Sequence, residues 1–383
     1  MATEKIDLNN LDKSDWKTYR FDEIAQNISE RVDPNNTDLE VYIGLEHIDS
    51  ESLHIKRHGT PDDVNGTKLK FYKDDIIFGR RRAYQRKAGI ATCDGFCSAH
   101  ALVLRANPVV IDPALFPFFM HSDLFMNRAV DISVGSLSPT INWGTLKHQE
   151  FLVPPIEIQQ DIAKLYWSLD DTVEAEIKLD DAFEAYMLVA LKNIFSEKSK
   201  RVSLKDVCRE KPKYGANQKA VEYDNHCRYI RITDIGDFSI LNNKKVSAET
   251  HDEKYVLKYG DFLIARSADP GRSYYYKKTD GLCSHAGYLI KFTLDLKKIL
   301  PEYLYYFTQT AEYKSWINQT TRKGTLSNIN SQEFSKMRVP LVDISDQKKS
   351  IDEISKIYLK SRAVKDKILK SIALKNSLIN KVF

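Results

Sequence analysis

Asp94-Gly95-Phe96-Cys97-Ser98 returns as Asp280-Gly281-Leu282-Cys283-Ser284, 186 positions further along a chain of 383 residues. Working outward, Asp75-Ile76-Ile77-Phe78-Gly79-Arg80 returns at the same offset as Asp261-Phe262-Leu263-Ile264-Ala265-Arg266. Tyr42-Ile43-Gly44-Leu45-Glu46-His47-Ile48 matches Tyr229-Ile230-Arg231-Ile232-Thr233-Asp234-Ile235, now 187 positions apart. Gly135-Ser136-Leu137-Ser138 answers Gly324-Thr325-Leu326-Ser327, Ile141-Asn142 answers Ile329-Asn330, and Val153-Pro154 answers Val339-Pro340. Collinear matches at a nearly constant offset identify a tandem duplication, which sets the domain organisation before any single motif does. At roughly 150 residues per domain, the length already suggests two or three domains.

Each copy is followed by a long helical pattern. In the first, Ile158, Ile162, Leu165, Leu169, Thr172, Glu176, Leu179, Phe183, Tyr186 and Ala190 step by alternating fours and threes, the seam of a coiled coil. In the second, Ile351, Ile354, Tyr358, Ile368, Ile372, Ile379 and Val382 form a similar seam, broken at Ser361 and Lys365. The expected organisation is a first globular domain at 1–155, a helix at 156–196, a second globular domain at 197–342 and a helix at 343–383. The fold class is α+β: two tandem-duplicated globular domains separated by two long antiparallel coiled-coil helices, with pseudo-twofold symmetry. Strands are expected at Asp75–Phe78, Ala101–Leu104, Asp261–Ala265 and Tyr288–Phe292, from their apolar and β-branched character. Short helices are expected around Leu115–Met120 after Pro113 and around Tyr303–Thr308 after Pro301, with proline in the first turn.

The total charge conceals this layout. The chain carries 57 Lys and Arg against 53 Asp and Glu, net +4. Divided at the expected boundaries, the four segments carry −4, −6, +9 and +5. One long helix is acidic and the other basic, so pairing them buries both apolar stripes and attracts across the rim. A net of +4 excludes a histone-like, tail-driven binder. Five scattered cysteines, without a CxxC pair, read as reduced thiols rather than a disulfide framework or a zinc site. No apolar run approaches the ~20 residues of a membrane span. The acidic, polar start is unlike a secretory signal, so a cytoplasmic location is expected.

Catalytic signatures are missing from the sequence. There is no GxxxxGK[ST], GxGxxG after a strand, HExxH or GxSxG, and no Asn-Pro-Pro-Tyr-like run to hold a flipped base. His47, His54 and His58 lack a cysteine or carboxylate frame, so no metal site is expected. Recognition has better candidates. Residues 79–87 hold five cations around Arg80, Arg81, Arg82, Tyr84, Gln85, Arg86 and Lys87, between two strand-like runs. The equivalent stretch of the second copy offers Arg266, Ser267, Arg272, Tyr274, Lys277 and Lys278. Loops mixing Arg, Lys, Gln, Ser and Tyr suit DNA: cations meet phosphate, while Arg and Gln can pair with base edges. The Gly/Ser loops 135–142 and 323–330, with Ser136, Asn142 and Lys323, add backbone N–H groups for a phosphate. A solvated turn and a helix cap are the plainer readings of these two features.

Two globular copies, each followed by a long helix, resemble the specificity subunit of a type I restriction-modification system. The resemblance covers the whole chain. It rests on Tyr42–Ile48, Asp75–Arg80, Gly135-Ser136 with Ile141-Asn142, and Val153-Pro154-Pro155-Ile156-Glu157-Ile158-Gln159-Gln160 with Ile162. The second copy departs from the last motif, with Asp346-Gln347 set further from Val339-Pro340. The resemblance implies a non-catalytic reader of double-stranded DNA, each globular domain recognising one half of a split target. It implies two methyltransferase subunits docked on the helices, and restriction/translocase subunits beyond them. S-adenosylmethionine, ATP and magnesium would belong to those partners, and no cofactor to this chain. A coiled-coil protein-interaction scaffold with duplicated binding domains is the alternative, favoured by the acidic first copy and first helix.

Overall fold

The computed structural model describes residues 11–196, 200–321 and 328–383. The chain divides into two compact units, residues 1–177 with 366–383, and residues 178–365. The long helices Ile156–Ile194 and Ile344–Val382 are each shared between the units.

The duplication is visible strand by strand. In the first unit, Ala25–Ile28, Ala101–Ala106, Ile76–Gly79 and Ala88–Ile90 form an antiparallel sheet in that spatial order. In the second, Lys213–Tyr214, Leu289–Thr293, Asp261–Ala265 and Ser273–Tyr275 repeat it. The Ile76–Gly79 and Asp261–Ala265 strands are buried throughout, which explains their unbroken apolar runs. The aspartate opening each run is buried because it closes a turn. Tyr72 N donates to Asp75 Oδ2 and Lys258 N to Asp261 Oδ2, both at 2.8 Å. Arg105 compensates the Asp75 charge with two bonds of 2.7 and 3.0 Å, and Thr293 donates to Asp261 at 2.7 Å.

The repeat at Asp94–Ser98 and Asp280–Ser284 lies on a parallel strand pair in each copy. Gly95–Cys97 runs parallel to Tyr42–Ile43, and Cys283–His285 runs parallel to Arg228–Ile230. The segment entering each long helix is an edge strand: Glu150–Val153 pairs with Lys17–Arg20, and Arg338–Pro340 pairs with Arg201–Ser203. All four expected strands are present to within two residues at each end. The helix Pro301–Thr308 begins on its proline. Its counterpart, Phe116–His121, starts three residues after Pro113 and holds Pro117 in its first turn instead. Behind the first sheet, Phe21, Phe119, Phe125 and Phe151 pack with ring centroids 5.2–6.4 Å apart. Behind the second, Phe195 packs on Tyr303 at 4.9 Å.

Gln159 and Gln347, both fully buried, fasten the start of each long helix to the segment before the aromatic helix. Gln159 accepts from Asp112 N at 2.6 Å and donates to the carbonyls of Val110 and Pro154. Gln347 accepts from Leu300 N at 2.8 Å and donates to those of Lys298 and Val342. The wider spacing in the second copy therefore preserves the contact that the Gln-Gln motif serves.

The two helices pair antiparallel within each unit. In the first unit, Tyr166 OH donates to Leu378 O, Lys375 bonds Asp170 at 2.7 Å, and Lys367 pairs with Glu176 at 3.1 Å. In the second, Lys365 bonds Glu184 at 2.8 Å and Ser361 donates to Asp180 at 3.0 Å. Half of the expected seam of the first helix is in place, with Ile162, Glu176 and Ala190 buried, and the other half is rotated outward. Leu165, Thr172, Leu179 and Tyr186 are exposed, while the buried line runs through Ile162, Ala163, Tyr166, Asp170, Val173 and Glu176. Counting apolar side chains shifts part of the face because the basic partner helix draws Asp170 inward onto Lys375, while the expected Glu176 meets Lys367. The two breaks of the second seam, Ser361 and Lys365, are likewise paired.

Candidate nucleic-acid interface

Each buried central strand ends on an arginine that knits three loops together. In the first copy, Arg80 N donates to His100 O at 3.2 Å, and Arg80 O accepts from Ile141 N at 2.9 Å. In the second, Arg266 N donates to Tyr288 O at 3.0 Å, and Arg266 O accepts from Ile329 N at 2.9 Å. The strand end, the loop before its neighbour strand and the stretch following the Gly/Ser loop thus meet at one residue, twice. Buried strands of equal register force this meeting, because each delivers its arginine at the sheet rim with main-chain groups that need partners.

Around Arg80 the loop departs from extended geometry. Arg82 and Arg86 take left-handed conformations, with φ of 57° and 50°, bracketing the single turn Ala83–Gln85. Arg82 N donates to Pro139 O at 2.7 Å, and Arg81 and Arg82 both direct Nε at Ser138 Oγ, at 3.0 and 3.4 Å. The opposing loop is closed by reciprocal bonds between Val134 and Thr140, with Gly135 at φ 117° in its turn. Arg81, Arg82, Tyr84, Ser136 and Asn142 are exposed on this two-loop rim, beside Leu137, which is 93% exposed. The side chain of Asn142 makes no capping bond to the helix Trp143–Leu146 that it precedes.

Other expected residues serve the domain itself. Arg86 pairs with Asp123 at 2.7 Å and Glu51 at 3.2 Å, and Lys87 donates to Leu45 O at 2.6 Å. Gln85 is half-buried. The run of five cations therefore splits into an exposed pair, Arg81 and Arg82, a half-buried Arg80 and two internal anchors. Composition alone cannot separate these, because a folded loop sends successive side chains in opposite directions.

In the second copy, Tyr274 is a core residue with no exposure, its hydroxyl bonded to Asp280 at 2.6 Å. A sheet position, not a loop tip, explains this: Tyr274 pairs with Leu263 in the central ladder. Lys277 is half-buried, donating to Ser239 O and lying over the rings of Tyr274 and Tyr275; burial holds its ammonium below the usual lysine range. Arg272 is tied to Asp269 and to Ile235 O. Ser267 is half-buried and Lys278 exposed. Lys323 and the repeat segment 324–327 lie outside the described residues.

Arg266 stands over the Tyr214 ring at 5.0 Å and bonds Asn328 at 3.0 Å. Tyr288, 61% exposed, shares an open cleft with Gln218, Arg231 and Thr233 over a floor of small residues. Tyr214, Tyr288 and Arg231 are not among the residues that charge and composition single out. The matched stretch 42–48/229–235 was the available signal, since it exchanges Gly44 for Arg231 within a preserved pattern.

Among the described residues no group of His, Cys, Asp and Glu is arranged to hold a metal ion, and no helix is long and apolar enough to cross a membrane. The three clustered histidines are dispersed in space: His47 accepts from Gly44 N, His54 bonds Asp170, and His58 bonds the Gly59 carbonyl.

Comparison with known proteins places this architecture. The family described as type I restriction modification DNA specificity domain matches residues 13–185 and again 189–374. The EcoDI type I restriction enzyme specificity subunit of Escherichia coli is 27% identical over 169 residues, covering 43% of this chain and 37% of that one. The HindI specificity subunit of Haemophilus influenzae is 24% identical over 48% of this chain and 41% of its own. The StySPI specificity subunit of Salmonella potsdam is 22% identical over 79% of this chain and 69% of its own. The matches thus span less than half the length of the first two relatives. Among solved structures, a chain of a type I restriction-modification system superposes with a TM-score of 0.63, at 19% identity, covering 96% of this chain and 97% of that one. The type I S subunit from M. genitalium gives 0.60 at 14% identity, covering 98% of both.

Proposed function

The chain belongs to the type I restriction-modification DNA specificity family, and from that premise we propose that it recognises a two-part sequence in double-stranded DNA. Each globular copy reads one half. The observation that carries this reading is the arginine-centred junction of three loops, built by Arg80 and repeated by Arg266. A rigid strand end supports loops presenting Arg, Tyr, Ser and Asn, the side chains that combine phosphate contact with base readout. In the first copy the contacts fall to Arg81, Arg82, Tyr84, Ser136 and Asn142. In the second they fall to Arg266, Ser267 and Lys278, with Lys323 added from the sequence.

Chemistry belongs to partners in this proposal. Two methyltransferase subunits dock on the helix pair and bring S-adenosylmethionine, while restriction/translocase subunits bring ATP and magnesium. This chain needs no cofactor, acts in the cytoplasm and aims the others. The specificity subunits among its relatives support the assignment.

The test is a salt titration of DNA binding by the assembled complex with Arg81→Ala and Arg82→Ala. Each lost phosphate contact is expected to lower affinity and to flatten the slope of log K against log salt by about 1. Unchanged affinity and slope would remove this rim from the interface.

A further inference from the structure

Arg231 of the second copy has its guanidinium oriented by a single buried carboxylate. It follows the strand Arg228–Ile230 and enters a single helical turn, Ile232–Asp234, whose last residue turns back on it. Arg231 N donates to Asp234 Oδ2 at 2.9 Å, Nε donates to the same oxygen at 3.0 Å, and Nη2 donates to Oδ1 at 2.9 Å. Asp234 is 1% exposed, whereas the Arg231 side chain is about one-third exposed and lines the cleft beside Tyr288.

A guanidinium has two forked faces. The side-on fork, Nε with one Nη, is occupied by Asp234. The end-on fork, Nη1 with the outer hydrogen of Nη2, has no partner among the described residues. An end-on fork matches the O6 and N7 acceptors of guanine in the major groove. Fixing the other face beforehand removes the rotamer cost of that contact.

We infer that Arg231, held by Asp234, reads a guanine in the half-target recognised by the second copy. The inference rests on the DNA-recognition reading above and names one base contact within it. A backbone phosphate is the competing acceptor. The buried carboxylate argues against it, because the Arg231–Asp234 pair is neutral overall and its long-range pull on phosphate is small, while the directional fork is untouched.

The first copy supplies an internal contrast. The same turn occurs at Gly44, whose N–H donates to His47 Nδ1 at 3.0 Å just as Arg231 N donates to Asp234. The backbone device is kept, but Gly44 carries no side chain to read with. The guanine contact therefore belongs to one half of the target.

The experiment maps methylated sites in cells carrying the complete system, with wild-type chain, Arg231→Ala, Arg231→Lys and Asp234→Asn, each checked by thermal melting for folding. Wild type is expected to give a two-part motif with guanine in the second copy's half. Arg231→Ala and Arg231→Lys should lose discrimination at that position by about tenfold or more and leave the other half unchanged. Asp234→Asn, which keeps the arginine but weakens its orientation, should relax the same position by less. Methylation lowered at all sites with an unchanged motif would assign Arg231 to phosphate and overturn the inference. An unchanged motif, or one without guanine in that half, would also overturn it. Absence of any specific motif in wild type would instead bring down the DNA-recognition reading itself.

Discussion

Beyond the glutamine clasp that both share, the two copies fasten themselves to the long helices by different chemistry at matching places. In the first unit, the loop after Tyr42–Ile48 sends His54 onto Asp170 of the first long helix, Nε2 to Oδ2 at 2.6 Å, and Lys375 of the second helix bonds the other carboxylate oxygen at 2.7 Å. In the second unit, the loop after Tyr229–Ile235 sends Phe238 onto Tyr358, the rings stacked at 3.6 Å between centroids. Tyr358 lies 188 positions after Asp170, in line with the repeat. A charged triad in one copy and an aromatic stack in the other thus hold equivalent joints. The duplication preserved where the loop must touch the helix, and left open which force makes the contact.

The difference has consequences for stability. A buried carboxylate is costly unless paired, so the first joint depends on every member of its triad. Lys375→Met leaves Asp170 to His54 alone, and the first unit should lose about 3 kcal/mol in urea unfolding, with the double variant Asp170→Leu/Lys375→Met recovering most of it. No loss from the single variant would show that the triad does not hold the joint. Phe238→Ala removes a ring contact without stranding a charge, and about 2 kcal/mol is expected from the second unit. A loss felt mainly in the first unit's hydrogen exchange would break the comparison.

The smallest effect is the most specific. The hydrogen bond to Asp170 raises the His54 pKa above its ordinary value. Burial works against the charge of Asp170, but its bonds to His54 and Lys375 outweigh that and hold its carboxyl below the usual range. A raised histidine contributes stability in full below its unfolded pKa, ~6.5, and loses it as pH rises through the folded value. A lowered carboxylate contributes above its unfolded pKa and loses that contribution as pH falls towards the folded value. The first joint should therefore be firmest between these limits, in mildly acid solution, and loosen slightly from pH 6 to 9, whereas the Phe238–Tyr358 joint should not respond. Amide exchange around His54 and around Phe238 at the two pH values measures this; equal responses would refute it.

The duplication, the strands on each side of it and the two helices of opposite charge were legible because they are properties of pattern. Repeats, β-branched runs and net charge survive any detail of packing. The rim was half-legible. Arg81 and Arg82 stood out with the same five-cation run that also holds Arg86 and Lys87, which the fold keeps for itself through Asp123, Glu51 and Leu45. Tyr274 belonged to a basic, tyrosine-rich stretch and proved to be core, because it is not in a loop but on a hairpin strand, opposite Leu263 in the central ladder.

By itself, then, the sequence determined that one unit occurs twice and that each copy leads into a long helix. Tertiary structure decided which arginines face outward, which face of the first helix is buried and which arginine is held by a buried carboxylate. The physical reason is the range of the interactions. Periodicity and charge balance are sums over neighbours along the chain; the carboxylate that orients Arg231 is only three residues on, but the cleft beside it is lined by segments remote in sequence, and the burial of Asp170 depends on a lysine 205 positions away. Only folding brings such partners within hydrogen-bonding distance.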